Sequence, residues 1–209
     1  MKPVRALLYR AAGRYSLYNR RRKARIVTDL IAAVDARTVL FVGVGADEED
    51  RTNLFESLVA EVVDAPVGAG LGPGAPAFTA TYVQADGRAL PFPDASFDLV
   101  ISNAVIEHVG QVRDQAIFVA EHRRVGRAAV ITTPNRHFPI EAHTGAVFVH
   151  VRPGWTDTDG YVTRLLSKRD FEALLPSGTV IRGHRLSPTL TAIVAAQQPT
   201  LPDRAQVPG

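Results

Sequence analysis

The chain has 209 residues, 46% apolar and 22% charged, which suits one soluble globular domain with extensions. It has no cysteine, which excludes disulfides, thiolate metal sites and a cysteine nucleophile and fits a reducing cytoplasm. Of its 24 Lys and Arg, nine lie in the first 25 residues, which hold no acid, so the remainder carries 15 basic residues against 21 acids. A nucleic-acid partner calls for a basic surface on the fold itself, so none is expected of this mildly acidic body. No apolar run approaches the roughly 20 residues needed to cross a bilayer.

In chain order, Val4, Leu7, Leu8, Ala11, Ala12, Tyr15 and Tyr18 recur at helical spacing and predict a basic amphipathic helix over residues 4–18. Its short, broken apolar runs are not those of a secretory signal, although an Arg-rich, acid-free arm also resembles an organellar transit peptide. A second helix is expected over 21–35, with Val27, Leu30, Ile31 and Val34 on one face. "TVLFVGV" (38–44) reads as a first strand, "TNLFESLVA" (52–60) as a short helix and "EVVDAPV" (61–67) as a second strand. "GAGLGPGAPA" (68–77) reads as a flexible loop. "TATYVQAD" (79–86) and "FDLVISNAV" (97–105) are the third and fourth strands, the latter nearly unbroken in hydrophobicity, as in a parallel sheet covered on both faces.

A helix over 111–124 and a fifth strand, "RAAVITTP" (127–134), follow. Residues 135–161 show no period. Ser167 with Asp170 predicts a capping box for the helix "KRDFEALLP", and "TVIRGHRL" and "LTAIVAAQ" close the chain as two more strands. The alternation predicts an α/β fold, doubly wound around a mainly parallel sheet. The expected division is a basic helical extension over 1–36, a main domain over 37–198 and a flexible tail over 199–209.

Ligands of open α/β sheets sit beyond the carboxyl ends of the strands. Gly43-Val44-Gly45 ends the first strand, and glycine allows a tight turn there. The dinucleotide fingerprint needs a third glycine, where Glu48 stands, and Asp47, Glu48, Glu49 and Asp50 would repel a pyrophosphate. That argues against a nicotinamide or nucleotide-sugar enzyme. A cationic ligand without phosphate suits such an edge, and S-adenosyl-L-methionine is one; acids also simply favour a helix start. Asp64, with Glu61 as the alternative, is placed to bond ribose hydroxyls after the second strand. Asp86 before Gly87 is placed to accept a hydrogen bond from an exocyclic amine. Ser102, Asn103, Glu107 and His108 follow the fourth strand.

The run "VQADGRALPFPDASFDLVISNAVIEHV" resembles the core of the class I S-adenosylmethionine-dependent methyltransferases, nearest to the sub-family that resembles quinone-biosynthesis enzymes. The resemblance covers residues 38–135 and implies a Rossmann-like sheet of seven strands, the last antiparallel. It implies cofactor contacts at Gly43, Val44, Gly45, Asp64, Asp86, Gly87, Arg88 and Asn103. The chain departs from the family at Phe41, where an acid usually ends the strand, at the missing third glycine, and at the short turn "RRVGR" before the fifth strand. A non-catalytic binding or scaffold protein of the same fold is therefore the alternative to an enzyme.

Methyl transfer needs alignment and exclusion of water, no metal, and for some acceptors a base. His108 and His143 are the candidate bases, with Glu141 beside the latter. A small-molecule acceptor is expected, its identity and the oligomeric state left open. The basic arm is expected to act as a lid, to rest on an anionic membrane surface, or to pack as a plain helix.

Overall fold

The computed structural model describes residues 2–46, 53–140, 148–151 and 164–195, with side chains from residue 17 onward apart from residue 151. The acids 47–50, Glu141, His143 and the proposed tail at 199–209 lie outside the described residues.

Seven strands form one sheet in the order β3-β2-β1-β4-β5-β7-β6. In chain order they are β1 (Val39–Val42), β2 (Val67–Gly70), β3 (Thr81–Gln84), β4 (Phe97–Asn103), β5 (Gly126–Pro134), β6 (Val180–Arg182) and β7 (Thr189–Val194). The β1, β2, β3, β4 and β5 pairings are parallel, and β7 runs antiparallel to both β5 and β6. This is the expected Rossmann-like architecture with its last strand reversed.

Alternate residues of the central strands face opposite layers, because successive side chains on a strand point to opposite sides. Val39, Phe41, Leu99, Ile101 and Val130 pack with Ala24, Val27 and Ile31 of α1 (Lys2–Val34) and with Phe55 and Val59 of α2 (Leu54–Ala60). Leu40, Val42, Val100, Ala129 and Ile131 pack with Phe118 and Val119 of α3 (Val112–Val125) and with Phe171 of α4 (Lys168–Leu174). Each of the valine, leucine, isoleucine and phenylalanine side chains withdrawn from water contributes about 1.5–3 kcal/mol. At the amino edge, Asp98 accepts hydrogen bonds from the Arg37 and Thr38 amides and the Thr38 hydroxyl, which pins the start of β1 to β4.

Two expectations are corrected. The two amino-terminal helices are one helix of 33 residues, since no proline interrupts the junction and Asn19-Arg20-Arg21-Arg22 continues the helix. Its second half belongs to the core, with Val27 and Ile31 buried as the periodicity implied, while Val34 of the same predicted face is exposed at the helix end. The second strand is not "EVVDAPV" but "VGAG", which shares only Val67 with that reading and otherwise lies inside the segment read as a loop, while residues 61–66 form turns and bends. Here backbone proximity overrides glycine's low strand propensity. A Cβ at Gly70 would overlap the Val44 carbonyl, and one at Gly68 would press on Thr79 and Tyr82.

His122 of α3 is fully buried, with Nδ1 2.8 Å from the Phe118 carbonyl and no partner at Nε2. Burial depresses its pKa from the usual 6.5 to about 4, so the folded state holds the ring neutral. Stability that is complete above pH 6.5 is therefore lost as the pH falls from 6.5 towards 4, by about 3 kcal/mol. We expect the melting temperature to drop across that interval, and to drop less in His122→Met. Equal drops in the two proteins would remove His122 as the cause.

Candidate active site at the carboxyl edge of the sheet

β1 ends in a sharp turn at Gly43, whose φ of +80° favours glycine. The Gly43 and Val44 amides donate to the Ala69 carbonyl, and the Ala46 amide donates to the Gly74 carbonyl. The Gly45 carbonyl accepts from the Asn53 side chain at the head of α2. The turn is thus held between β2 and α2, with Val44 buried and its carbonyl laid on Gly70.

Beyond β3, Asp86 is half-exposed and accepts three hydrogen bonds from the Arg88 guanidinium at 2.6–3.1 Å, and one from the Arg88 amide. These bonds hold its carboxyl below the ordinary aspartate value. Arg88 continues to Asp114, which in turn accepts from the Gln111 amide at the start of α3. Gly87 has no room for a side chain between Phe118 and Val42. Arg124 binds the Leu90 and Phe92 carbonyls, Glu121 and Asp94, and so fixes the crossing from β3 to β4.

Asn103 at the end of β4 is the centre of a polar cluster. Its Oδ1 accepts from Lys23 Nζ at 2.6 Å and from the Thr132 hydroxyl at 2.7 Å, and its Nδ2 donates to Glu56 Oε1 at 3.0 Å. Burial lowers the Lys23 pKa to about 8, an effect that the Glu56 carboxylate opposes. Burial raises that of Glu56, whose Oε2 is buried without a hydrogen-bond partner. The Lys23 ammonium also lies 5.4 Å from the Phe55 ring centroid. A lysine of α1, a glutamate of α2 and two strand ends thus meet beside the glycine turn.

Gly43, Val44, Gly45, Asp86, Gly87, Arg88 and Asn103 therefore share the carboxyl edge. Asp64 does not: it lies before β2, at the opposite edge, because the strand begins at Val67, six residues later than the sequence suggested. Glu61, at the end of α2, also precedes β2. The carboxyl end of β2 is Gly70, followed by Leu71, Gly72, Pro73 and Gly74, so no acid stands there. His108 is exposed at the end of the 3₁₀ turn Ile106–His108, whereas its neighbour Glu107 is fully buried and accepts from the Thr133 hydroxyl. Lys23, Glu56 and Thr132 were missed; the apolar helix and strand patterns around them gave no sign that they converge.

Residues 59–130 match the family described as methyltransferase domain. A probable S-adenosylmethionine-dependent methyltransferase of Mycobacterium tuberculosis is 47% identical over 57 residues, 26% of this chain and 20% of that protein. The chain thus spans about a fifth of that relative's length. The N-methyltransferase NodS of Bradyrhizobium japonicum superposes with a TM-score of 0.55 at 10% identity, over 87% of this chain and 97% of NodS. This chain has a class I methyltransferase fold. The methyltransferase domain of bacterial CtHen1-C superposes with a TM-score of 0.56 at 14% identity, over 86% and 99% of the two chains. Magnesium protoporphyrin IX methyltransferase of Synechocystis PCC 6803, solved with bound S-adenosylmethionine, does so at 0.51 and 11%, over 84% and 79%. Within this methyltransferase fold, Phe41 takes the position at which the family's first strand usually carries an acid, and it is buried against Phe78 in an edge-to-face contact.

The cofactor of the family fits this edge in part. Asp86, here bonded to Arg88, offers a carboxylate that an amine can share, and the orphaned Glu56 Oε2 beside Lys23 supplies the opposite charges that an amino-acid zwitterion needs. The ribose is the exception, since Gly70 leaves it no carboxylate.

Proposed function

We propose that this chain transfers a methyl group from S-adenosyl-L-methionine to a small-molecule acceptor. The observation that carries the reading is that the Gly43 turn, Asp86 and Asn103 stand at the carboxyl ends of β1, β3 and β4, along one edge of a methyltransferase fold. When bound, the cofactor supplies a sulfonium-activated methyl group. Asp86 accepts the adenine amine, exchanging part of its bonding to Arg88 for it. Glu56 and Lys23 hold the amino-acid end, with Asn103 fixing both. The Gly43 turn lets the backbone approach, and α1 covers the edge and excludes water.

The likeness to quinone-biosynthesis enzymes, a cytoplasmic setting and contact of α1 with an anionic membrane surface belong to the same proposal. Fractionation of cells making the full chain and the vesicle experiment below test the last two. Among the described residues no helix is long and apolar enough to cross a membrane. A non-catalytic S-adenosyl-binding protein is the second reading, favoured by the missing acids at Phe41 and Gly70.

Calorimetry with S-adenosylhomocysteine and with NAD tests the cofactor. Binding of the former and not the latter is expected; the reverse defeats the proposal. Asp86→Ala is expected to weaken S-adenosylhomocysteine binding by about 1–3 kcal/mol, the cost of leaving a polar partner unmatched. An unchanged Kd in a folded variant would move the adenine elsewhere.

A further inference from the structure

A cavity of about 380 Å³ opens between α1 and the turn joining β6 to β7. Arg22 and Lys23 face it from α1, Arg182 from the end of β6 and His184 from the turn, with Thr191 of β7 also lining it. Among the described residues no Asp or Glu lines it, although acids outnumber bases over the chain beyond residue 25. Among the described residues, no ion pair ties Arg22 or Arg182 to a carboxylate. His184 Nδ1 accepts a hydrogen bond from the Leu186 amide at 3.1 Å, which leaves Nε2 as the protonated, donating nitrogen. The His184 amide donates to the Ser187 hydroxyl at 2.9 Å and fixes the turn.

We infer that this cavity receives an oxyanion of the methyl acceptor, a carboxylate or a phosphate, on Arg22, Arg182 and His184. The two guanidinium charges of Arg22 and Arg182 around one volume repel each other until an anion enters, and His184 adds an Nε2–H donor. Guanidinium groups suit such a ligand, because they bind carboxylate and phosphate with paired hydrogen bonds. The volume is that of a small-molecule site. Lys23 lines the same wall and reaches Asn103 at 2.6 Å, so an acceptor anchored here by its anion has its far end towards the polar cluster at the end of β4. The role as acceptor site rests on the methyltransferase reading; the anion site itself does not.

The test uses the full chain and three probes: inorganic phosphate, benzoate, and vesicles of phosphatidylglycerol set against phosphatidylcholine. Arg22 and Arg182 are both exposed, so the Arg22→Gln/Arg182→Gln variant is expected to melt with the wild type, and Arg182→Glu alone serves as a second variant. Phosphate or benzoate affinity is expected to fall roughly tenfold or more in both, the scale for losing charged hydrogen bonds. S-adenosylhomocysteine affinity is expected to stay the same. Vesicle binding that falls with it assigns the anion to a lipid headgroup; vesicle binding that does not change assigns it to a free molecule. Probe and vesicle binding equal to wild type in both variants overturns the inference. Anion binding retained in a protein that never binds S-adenosylhomocysteine overturns the cofactor reading and leaves the cavity as an anion site.

Discussion

Asn103→Leu is expected to cost about 2–4 kcal/mol of stability and to weaken S-adenosylhomocysteine binding roughly tenfold or more. Leucine has nearly the shape of asparagine, so the loss is electrostatic. Three hydrogen bonds disappear, from Lys23, from Thr132 and to Glu56. Lys23 and Glu56 are left facing each other without the amide that separates and satisfies them. The lower end of the range allows for Lys23 being only half-buried. Urea denaturation measures the first effect and calorimetry the second. A triple variant, Lys23→Met/Glu56→Met/Asn103→Leu, is expected to regain stability, because replacing a whole buried charged group by apolar residues is often neutral. It is not expected to regain binding. Recovery of both would reduce the cluster to packing, and a single variant as stable as wild type would contradict its geometry.

Gly70→Asp would place an acid at the end of the second strand, where the resemblance to class I methyltransferases implies one, yet we expect it to destabilise the protein rather than improve binding. The Val44 carbonyl occupies the place of any Cβ at Gly70, and the Tyr82 hydroxyl stands 3.0 Å from it. Overpacking of this kind costs about 1–3 kcal/mol, which is the expectation for Gly70→Ala. A carboxylate buried against a carbonyl adds repulsion and desolvation, for about 3 kcal/mol or more in all. Thermal melting of the two variants checks the order. A stable Gly70→Asp protein that binds S-adenosylhomocysteine more tightly would show that the turn yields and that the acid position is usable.

The difference between what was legible and what was not follows from the range of the interactions. β4 and β5 were readable because both faces are covered, which leaves nearly continuous apolar runs at "FDLVISN" and "AAVITTP". The box at Ser167 and Asp170 was readable because it is local, and both of its hydrogen bonds form as the spacing implied. β2 was not, since its Gly68 and Gly70 answer to Thr79, Tyr82 and Val44, which no local pattern discloses. That single shift carried Asp64 to the wrong edge. The site was half legible for the same reason. Asp86 and Asn103 lie at the ends of readable strands. Lys23 lies 80 positions from Asn103 and Glu56 lies 47 away, so on their helices they look like solvated charges until the fold brings them together.

A crystal structure of the full chain with S-adenosylhomocysteine tests the central claim most directly. The account predicts the adenine beside Asp86, with Arg88 turned partly aside, the amino-acid end on Lys23 and Glu56 at Asn103, and the sulfur facing the cavity under α1. A ligand bound in the opposite direction or away from this edge would contradict it, as would crystals soaked at saturation with Asp86 still closed on Arg88 and no ligand at the Gly43 turn.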